Sequence, residues 1–264
     1  MTAADETEPP VTYGSYLAVD ELLRLQRTRS RPEHPDELLF IVVHQASELW
    51  FKVLLHELDI LIGHLQAADE MSALATTRRI NALVRIVTAQ LSALDTLPPQ
   101  RFAQFRGYLG SASGGQSVQF RALEAVSGLR DDHFMHVLRE HGDIPRIIQA
   151  ALERPTLQEL FLDLLRGHAT TLEEVYSSAQ PSALFLLAES LTEYEQGFQL
   201  WRYLHVQLVE RIIGPETGGT GGTLGARYLQ RTLQQRFFPE LWEIRARFFS
   251  GDLAAPAPVP PANR

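Results

Sequence analysis

The stretch ELLFIVVHQASELWFKVLLHEL, residues 37–58, is the starting point for predicting the fold. Its apolar residues recur three and four positions apart, which is the period of an α-helix. On a helical wheel, a polar stripe separates two apolar faces; the stripe holds Gln45, Glu48, Lys52 and His56, one face holds Val42, Ala46, Leu49 and Val53, and the other holds Phe40, His44, Phe51 and Leu55. The pattern predicts a long helix that buries both apolar faces.

His44 is the unusual residue in this helix, because it lies on an apolar face one turn after Phe40. A buried neutral imidazole needs a hydrogen-bond partner for at least one ring nitrogen. The partner of His44 is either a carbonyl group of the protein core or a molecule bound beside the helix. This helix alone leaves both interpretations open.

Helical periods continue along most of the chain, and no stretch alternates as a half-buried strand does. The predicted helices cover residues 13–26, 37–66, 70–97, 116–127, 131–141, 144–153, 156–178, 181–213, 225–236 and 237–249. We therefore predict an all-α fold built on long helices. A single helical domain is expected over 13–252, between a disordered arm at 1–12 and a disordered Pro/Ala-rich tail at 253–264.

Composition excludes several functional classes. The net charge of −8 argues against a nucleic-acid partner, whose phosphates require a basic face. The absence of cysteine excludes disulfides, thiolate metal sites and cysteine nucleophiles. No uninterrupted apolar segment of about 18 residues is apparent, so no membrane span is expected. The polar, acidic start MTAADETEPP is unlike a signal peptide, and a cytoplasmic protein is expected.

A second histidine lies within an apolar stripe of the predicted helix 181–213. The stripe follows 3,4 spacing through Leu191, Tyr194, Phe198, Trp201, His205, Leu208 and Ile212. An imidazole among flat aromatic side chains suits an axial ligand of a haem, whose porphyrin needs such walls. A core histidine with a satisfied hydrogen bond fits the same spacing.

Two further segments have the composition of binding loops. FRGYLGSASGGQSVQFR, residues 105–121, is small and polar at its centre and begins beside Arg106, a residue suited to bidentate pairing with a carboxylate. A solvated loop with a surface arginine is the alternative. GPETGGTGGTLG, residues 214–225, is glycine-rich and favours a mobile lid.

Four blocks in this order resemble the tryptophan 2,3-dioxygenase family, and together they span nearly the whole chain. They are YGSYLAVDELLRLQ (13–26), DELLFIVVHQASELWFKVLLHELD (36–59), FRGYLGSASGGQSVQFRALE (105–124), and WRYLHVQLVERIIG with GTGGTLGARYLQRTL and FFPELWEIR (within 201–245). The resemblance implies an all-α haem-binding fold in which ferrous haem and O₂ oxidise the indole ring of L-tryptophan.

The resemblance also implies a role for each matching residue. His205 matches the proximal ligand of the haem iron, and His44 matches the distal histidine that faces the indole N–H. Substrate contacts are implied for Phe40 against the indole, Phe102, Arg106 at the carboxylate, Ser113 and Gly114 beside haem and substrate, and Thr220 at the amino-acid head group. Tyr13, Tyr16 and Leu17 match a segment that completes the pocket of a neighbouring subunit.

The implied cofactor is haem b, one per subunit, with O₂ as co-substrate. The implied assembly is a homo-oligomer, expected to be a tetramer. The default reaction is 2,3-dioxygenation of L-tryptophan or a close analogue to N-formylkynurenine. In this reaction the haem carries the oxygen chemistry, and the protein supplies orientation and electrostatics.

Three departures from the family pattern concern the lining of the pocket. Gly115 stands in SGGQS where members commonly have phenylalanine, Leu224 stands where they have a small polar residue, and the loop before it has one extra glycine. These departures suit a bulkier substrate, so a monooxygenase that converts a modified tryptophan to a 2-oxindole is an alternative. A haem-based ligand sensor and a helical scaffold without cofactor are alternatives of other classes.

Overall fold

The computed structural model describes residues 10–130, 135–136, 143–218 and 226–254. Within these ranges the secondary structure is helical, as predicted, with no strand. Apart from the helical residues 135–136, the predicted helix at 131–141 lies outside the described residues, as do most of both predicted disordered ends. The α-helices are α1 (Tyr13–Leu17), α2 (Val19–Leu22), α3 (Glu37–Gln66), α4 (Glu70–Ala89), α5 (Leu91–Leu94), α6 (Pro99–Arg106), α7 (Val118–Ser127), α8 (Arg146–Glu153), α9 (Leu157–Gly167), α10 (Leu172–Ser177), α11 (Ala183–Ile213), α12 (Ala226–Thr232) and α13 (Pro239–Ser250).

Three long helices, α3, α4 and α11, form the centre of the fold, and α4 packs against both of the others. The α4–α11 contact is close at Gly197, where an added Cβ would lie 2.7 Å from Cγ1 of Val84. The side chain of Ser182 caps the start of α11 by accepting from the amide of Phe185. The helix ends at Gly214, which has a positive φ of 87°.

The bounds of α3 and the end of α11 agree with the sequence prediction, but the predictions at 70–97 and 156–178 were wrong and one helix was missed. The helix predicted over 70–97 ends at Ala89, and the short α5 follows it. Residues 156–178 form two helices, because Ala169 adopts a left-handed conformation and Thr171 starts α10 with a capping box. Helix α6 was not predicted; Pro99 occupies its first turn, where proline is favoured.

The expectation that α3 buries two apolar faces was also wrong for the single chain. Its buried face contains Phe51, Leu54 and Leu58 within the main core, whereas Leu49 is 52% exposed and Val42 is 43% exposed. By length and composition alone, α3 is apolar enough to cross a membrane, with a mean hydropathy of 1.5 in its most apolar window. A core helix of a soluble protein meets the same criterion, and α3 packs against α4, α5, α7 and α9.

Candidate functional site

Helix α3 places Phe40 and His44 on one wall of a cavity. Nδ1 of His44 lies 2.7 Å from the carbonyl oxygen of Phe40, one turn earlier. A carbonyl only accepts, so Nδ1 carries the proton and Nε2 of the neutral ring is an acceptor. Burial lowers the pKa of His44, although the hydrogen bond to Phe40 and the charge of Glu48 act in the opposite direction. The carbonyl partner therefore satisfies one ring nitrogen and leaves Nε2 for another molecule.

Helix α11 contributes His205 to the same cavity. The ring of Trp201, one turn earlier, stacks on His205 with centroids 5.0 Å apart and an interplanar angle of 24°. Burial lowers the pKa of His205 to about 4, and the nearby His44 adds to this shift. The imidazole is therefore neutral at physiological pH, which is the form that binds a metal ion.

Helix α6 and the turn after it supply a third wall. Phe102 is buried, and its ring centroid lies 5.5 Å from that of Phe40. Nη2 of Arg106 donates to the carbonyl of Gly218 at 2.6 Å, which ties α6 to the start of the glycine-rich loop. Ser113 and Gly114 line the cavity from a 3₁₀ turn at Gly114–Gln116.

The cavity brings these residues together between α3, α6, α7 and α11. The cavity volume is about 250 Å³, close to the lower end of the range of about 300–1,000 Å³ that is typical of small-molecule sites. The lining is mainly aromatic and aliphatic, including Val43, Leu91, Leu94, Phe120, Leu208, Val209, Ile212 and Ile213. Among the described residues, no group of three or more histidine, aspartate or glutamate side chains is placed to hold a metal ion.

Sequence reasoning missed a buried charged group in the cavity wall, formed by Arg121 and Glu124 of α7 with Arg202 of α11. Nη2 of Arg202 donates to Oε1 of Glu124 at 2.9 Å. Nη1 of Arg121 lies 2.7 Å from the other carboxylate oxygen of Glu124. The sequence contained one sign of this group, because Arg121, Glu124 and Arg202 are charged residues on helix faces that are otherwise apolar.

The remaining predicted site residues lie elsewhere or outside the description. Tyr13, Tyr16 and Leu17 form part of α1, are exposed, and do not line the cavity of their own chain. Thr220 lies outside the described residues, although Gly218, two positions earlier, contacts Arg106. Gly115 lines the cavity, and an added Cβ there would meet only Oγ of Ser113 at 3.7 Å among the described residues.

Comparison with known proteins shows the family of the chain. The family model described as tryptophan 2,3-dioxygenase matches residues 2–167 and 158–248. A tryptophan 2,3-dioxygenase of Anaeromyxobacter dehalogenans (strain 2CP-C) is 42% identical over 93% of this chain and 99% of its own length. The enzyme of the same name from Myxococcus xanthus (strain DK1622) is 38% identical, over 96% of this chain and 92% of its own. The tryptophan 2,3-dioxygenase of Herpetosiphon aurantiacus is 42% identical over 89% of this chain and 98% of its own length. The chain belongs to the tryptophan 2,3-dioxygenase family.

Proposed function

We propose that the chain is a haem-dependent oxygenase that opens the indole ring of L-tryptophan by 2,3-dioxygenation. The observation that carries the proposal is that His44 and His205 line one cavity. His205 has both ring nitrogens free of hydrogen bonds to the described part of the chain, whereas His44 has only Nε2 free. This asymmetry supports a metal-ligand role for His205 and a substrate-orienting role for His44.

The residues of the cavity fit a haem. A porphyrin is flat, apolar and wide, and the lining is mainly aromatic and aliphatic. Three arginines line the cavity, Arg106, Arg121 and Arg202, against one acidic residue, Glu124, so the site has a net positive charge that suits a cofactor bearing carboxylates. We infer haem b, one per subunit, held through His205. Bound haem supplies the oxygen chemistry, in which both atoms of O₂ enter the substrate and the C2–C3 bond of the indole breaks.

The amino-acid substrate needs partners for its charges and for its ring. In the proposal, Arg106 pairs with the carboxylate of tryptophan. One N–H of Arg106 donates to the carbonyl of Gly218, and its other N–H groups can donate to the substrate. Phe40 and Phe102 form the aromatic wall that the indole requires. Ser113 and Gly114 line the cavity beside them, and Thr220 is proposed to contact the head group.

His44 is proposed to orient the indole through a hydrogen bond. Nε2 is an acceptor because Nδ1 donates to Phe40, and an indole N–H is a donor. The indole N–H is too weakly acidic for an imidazole to remove its proton readily, so His44 acts as an acceptor and not as a general base.

We also propose that the subunits associate, with a tetramer as the expected state. Apolar residues that a single chain leaves exposed recur along α3 and α11, namely Leu38, Val42, Leu49, Val53, Leu200, Tyr203 and Leu204. Such a surface favours contact with another subunit. The exposure of Tyr13, Tyr16 and Leu17 fits a segment that completes a neighbour's pocket. The cytoplasmic location remains a prediction.

Neither the monooxygenase nor the sensor is supported by the comparisons, since the relatives are named as dioxygenases. The deciding experiment is turnover of L-tryptophan under ¹⁸O₂ with mass analysis of the product. We expect N-formylkynurenine that carries two labelled atoms, formed without stoichiometric reductant. One labelled atom with reductant consumed would indicate the monooxygenase, and haem binding without product would indicate the sensor.

A further inference from the structure

The buried group formed by Arg121, Glu124 and Arg202 carries an unbalanced charge. The two guanidinium groups share one carboxylate, which leaves a net charge of +1. The side chains of Arg202 and Glu124 are 3% and 1% exposed, and that of Arg121 is 11% exposed. Within the described residues, Glu124 is their only acidic partner. An uncompensated charge in such a place is costly unless it serves another interaction.

Three guanidinium nitrogens of the cluster lack a partner among the described residues. Nε of Arg121, together with Nε and Nη1 of Arg202, is buried without a hydrogen bond to the described part of the chain. The guanidinium of Arg202 is also held in position, because it lies 5.1 Å from the ring centroid of Phe237. The positive charge is therefore fixed in place and only partly satisfied.

The cluster lies close to His205. Arg202 precedes His205 by three positions on α11, and residues at that spacing have Cβ atoms about 5–6 Å apart on one helix face. Both residues line the cavity, as do Arg121 and Glu124. A cofactor held by His205 would lie within the electrostatic field of the cluster.

We propose that Arg121, Glu124 and Arg202 act as positioning residues whose net positive charge favours the ferrous state of the haem bound at His205. The inference rests on the proposed function, since it requires haem in this cavity. Reduction of ferric to ferrous haem adds one electron, and a nearby fixed cation stabilises the less positive state. In a poorly hydrated site, one unit charge is expected to shift this equilibrium on the order of tenfold, or about 59 mV for one electron.

The test is a spectroelectrochemical titration of the purified holoprotein with dithionite and redox mediators. Arg121→Gln reduces the cluster charge to zero, so the midpoint potential of the haem should fall by about 59 mV. Glu124→Gln raises the charge to +2, so its potential should rise. Arg121→Lys keeps the charge and should restore the potential of the unmodified protein. Arg85→Gln removes a charge from the exposed pair with Glu193 and should leave the potential unchanged.

Opposite shifts for the two glutamine variants support the proposal. Equal potentials in all variants would overturn it, and so would weakened haem retention in Arg121→Gln without a potential shift, since that result assigns the cluster to a haem carboxylate. If Glu124→Gln does not fold, the midpoint potentials of Arg121→Gln and Arg202→Gln test the proposal instead, because each variant removes one positive charge and should lower the potential. An unmodified protein without a haem spectrum would refute the proposed function instead.

Discussion

Arg106→Leu is the most informative substitution for substrate binding. The proposed role of Arg106 is to neutralise the carboxylate of tryptophan inside an apolar cavity, and leucine removes that charge while keeping an aliphatic stem. Breaking a buried hydrogen-bonded charge pair costs about 3–5 kcal/mol. Arg106 is half-buried, so solvent screening reduces the expected loss to about 2–3 kcal/mol.

That loss corresponds to about 30- to 150-fold weaker binding, because about 1.4 kcal/mol is tenfold. Steady-state formation of N-formylkynurenine should therefore give a KM for tryptophan that rises by this factor, with a smaller change in kcat. Arg101→Leu is the matched control: it lies on the same helix, pairs with Asp36, and does not line the cavity.

Tryptamine, which lacks the carboxylate, separates charge pairing from general damage to the site. Its binding, measured by perturbation of the haem spectrum, should be nearly the same in Arg106→Leu and in the unmodified protein. Equal losses for tryptophan and tryptamine, or an unchanged KM for tryptophan, would refute the assigned role of Arg106.

Three predictions concern stability. Glu195→Gln should lower the free energy of unfolding, measured by urea titration, by about 3–5 kcal/mol. The buried carboxylate of Glu195 accepts from the backbone N–H groups of Phe237 and Phe238 and from the indole N–H of Trp242. The glutamine side chain has only one acceptor oxygen and cannot accept from all three donors. Gly197→Ala should lower the melting temperature, since the new methyl would overlap Val84 and overpacking costs about 1–3 kcal/mol. Burial alone would raise the pKa of Glu37, but hydrogen bonds from the Ser30 side chain and from backbone amides lower that pKa below its usual value. The stabilising contribution of Glu37 is therefore present at neutral pH and is lost as pH falls through the lowered pKa. Glu37→Gln should flatten the loss of stability in acid, measured by urea unfolding at a series of pH values.

The fold was largely predictable because its long helices carry strong periodicity and clear ends. The sequence reproduced the bounds of α3 and the Gly214 end of α11. The division near Ala169 was missed because the apolar period continues across it, although Thr171 and Glu174 were a readable capping box. Periodicity also could not distinguish an apolar face in the core from one that a single chain leaves exposed, as at Leu49.

The site was predicted less from local pattern than from the family resemblance. The spacing of His44 and His205 left a core role open for each, and only the folded chain brings both to one cavity. The charged cluster was missed because Arg202 and Glu124 are 78 positions apart, a pairing that no local pattern reveals. The roles assigned to the lining residues remain predictions.

The central claim is that His205 holds the haem. The most direct measurement is the haem content and Soret spectrum of His205→Ala, after expression with ample haem and after reconstitution, beside the unmodified protein and His56→Ala. His56 lies on the exposed side of α3 and does not line the cavity, so its variant should retain one haem per chain. We expect His205→Ala to lose stable haem, and to regain a Soret spectrum typical of imidazole-ligated haem only when free imidazole is added. An unaltered haem spectrum in His205→Ala without imidazole would contradict the account.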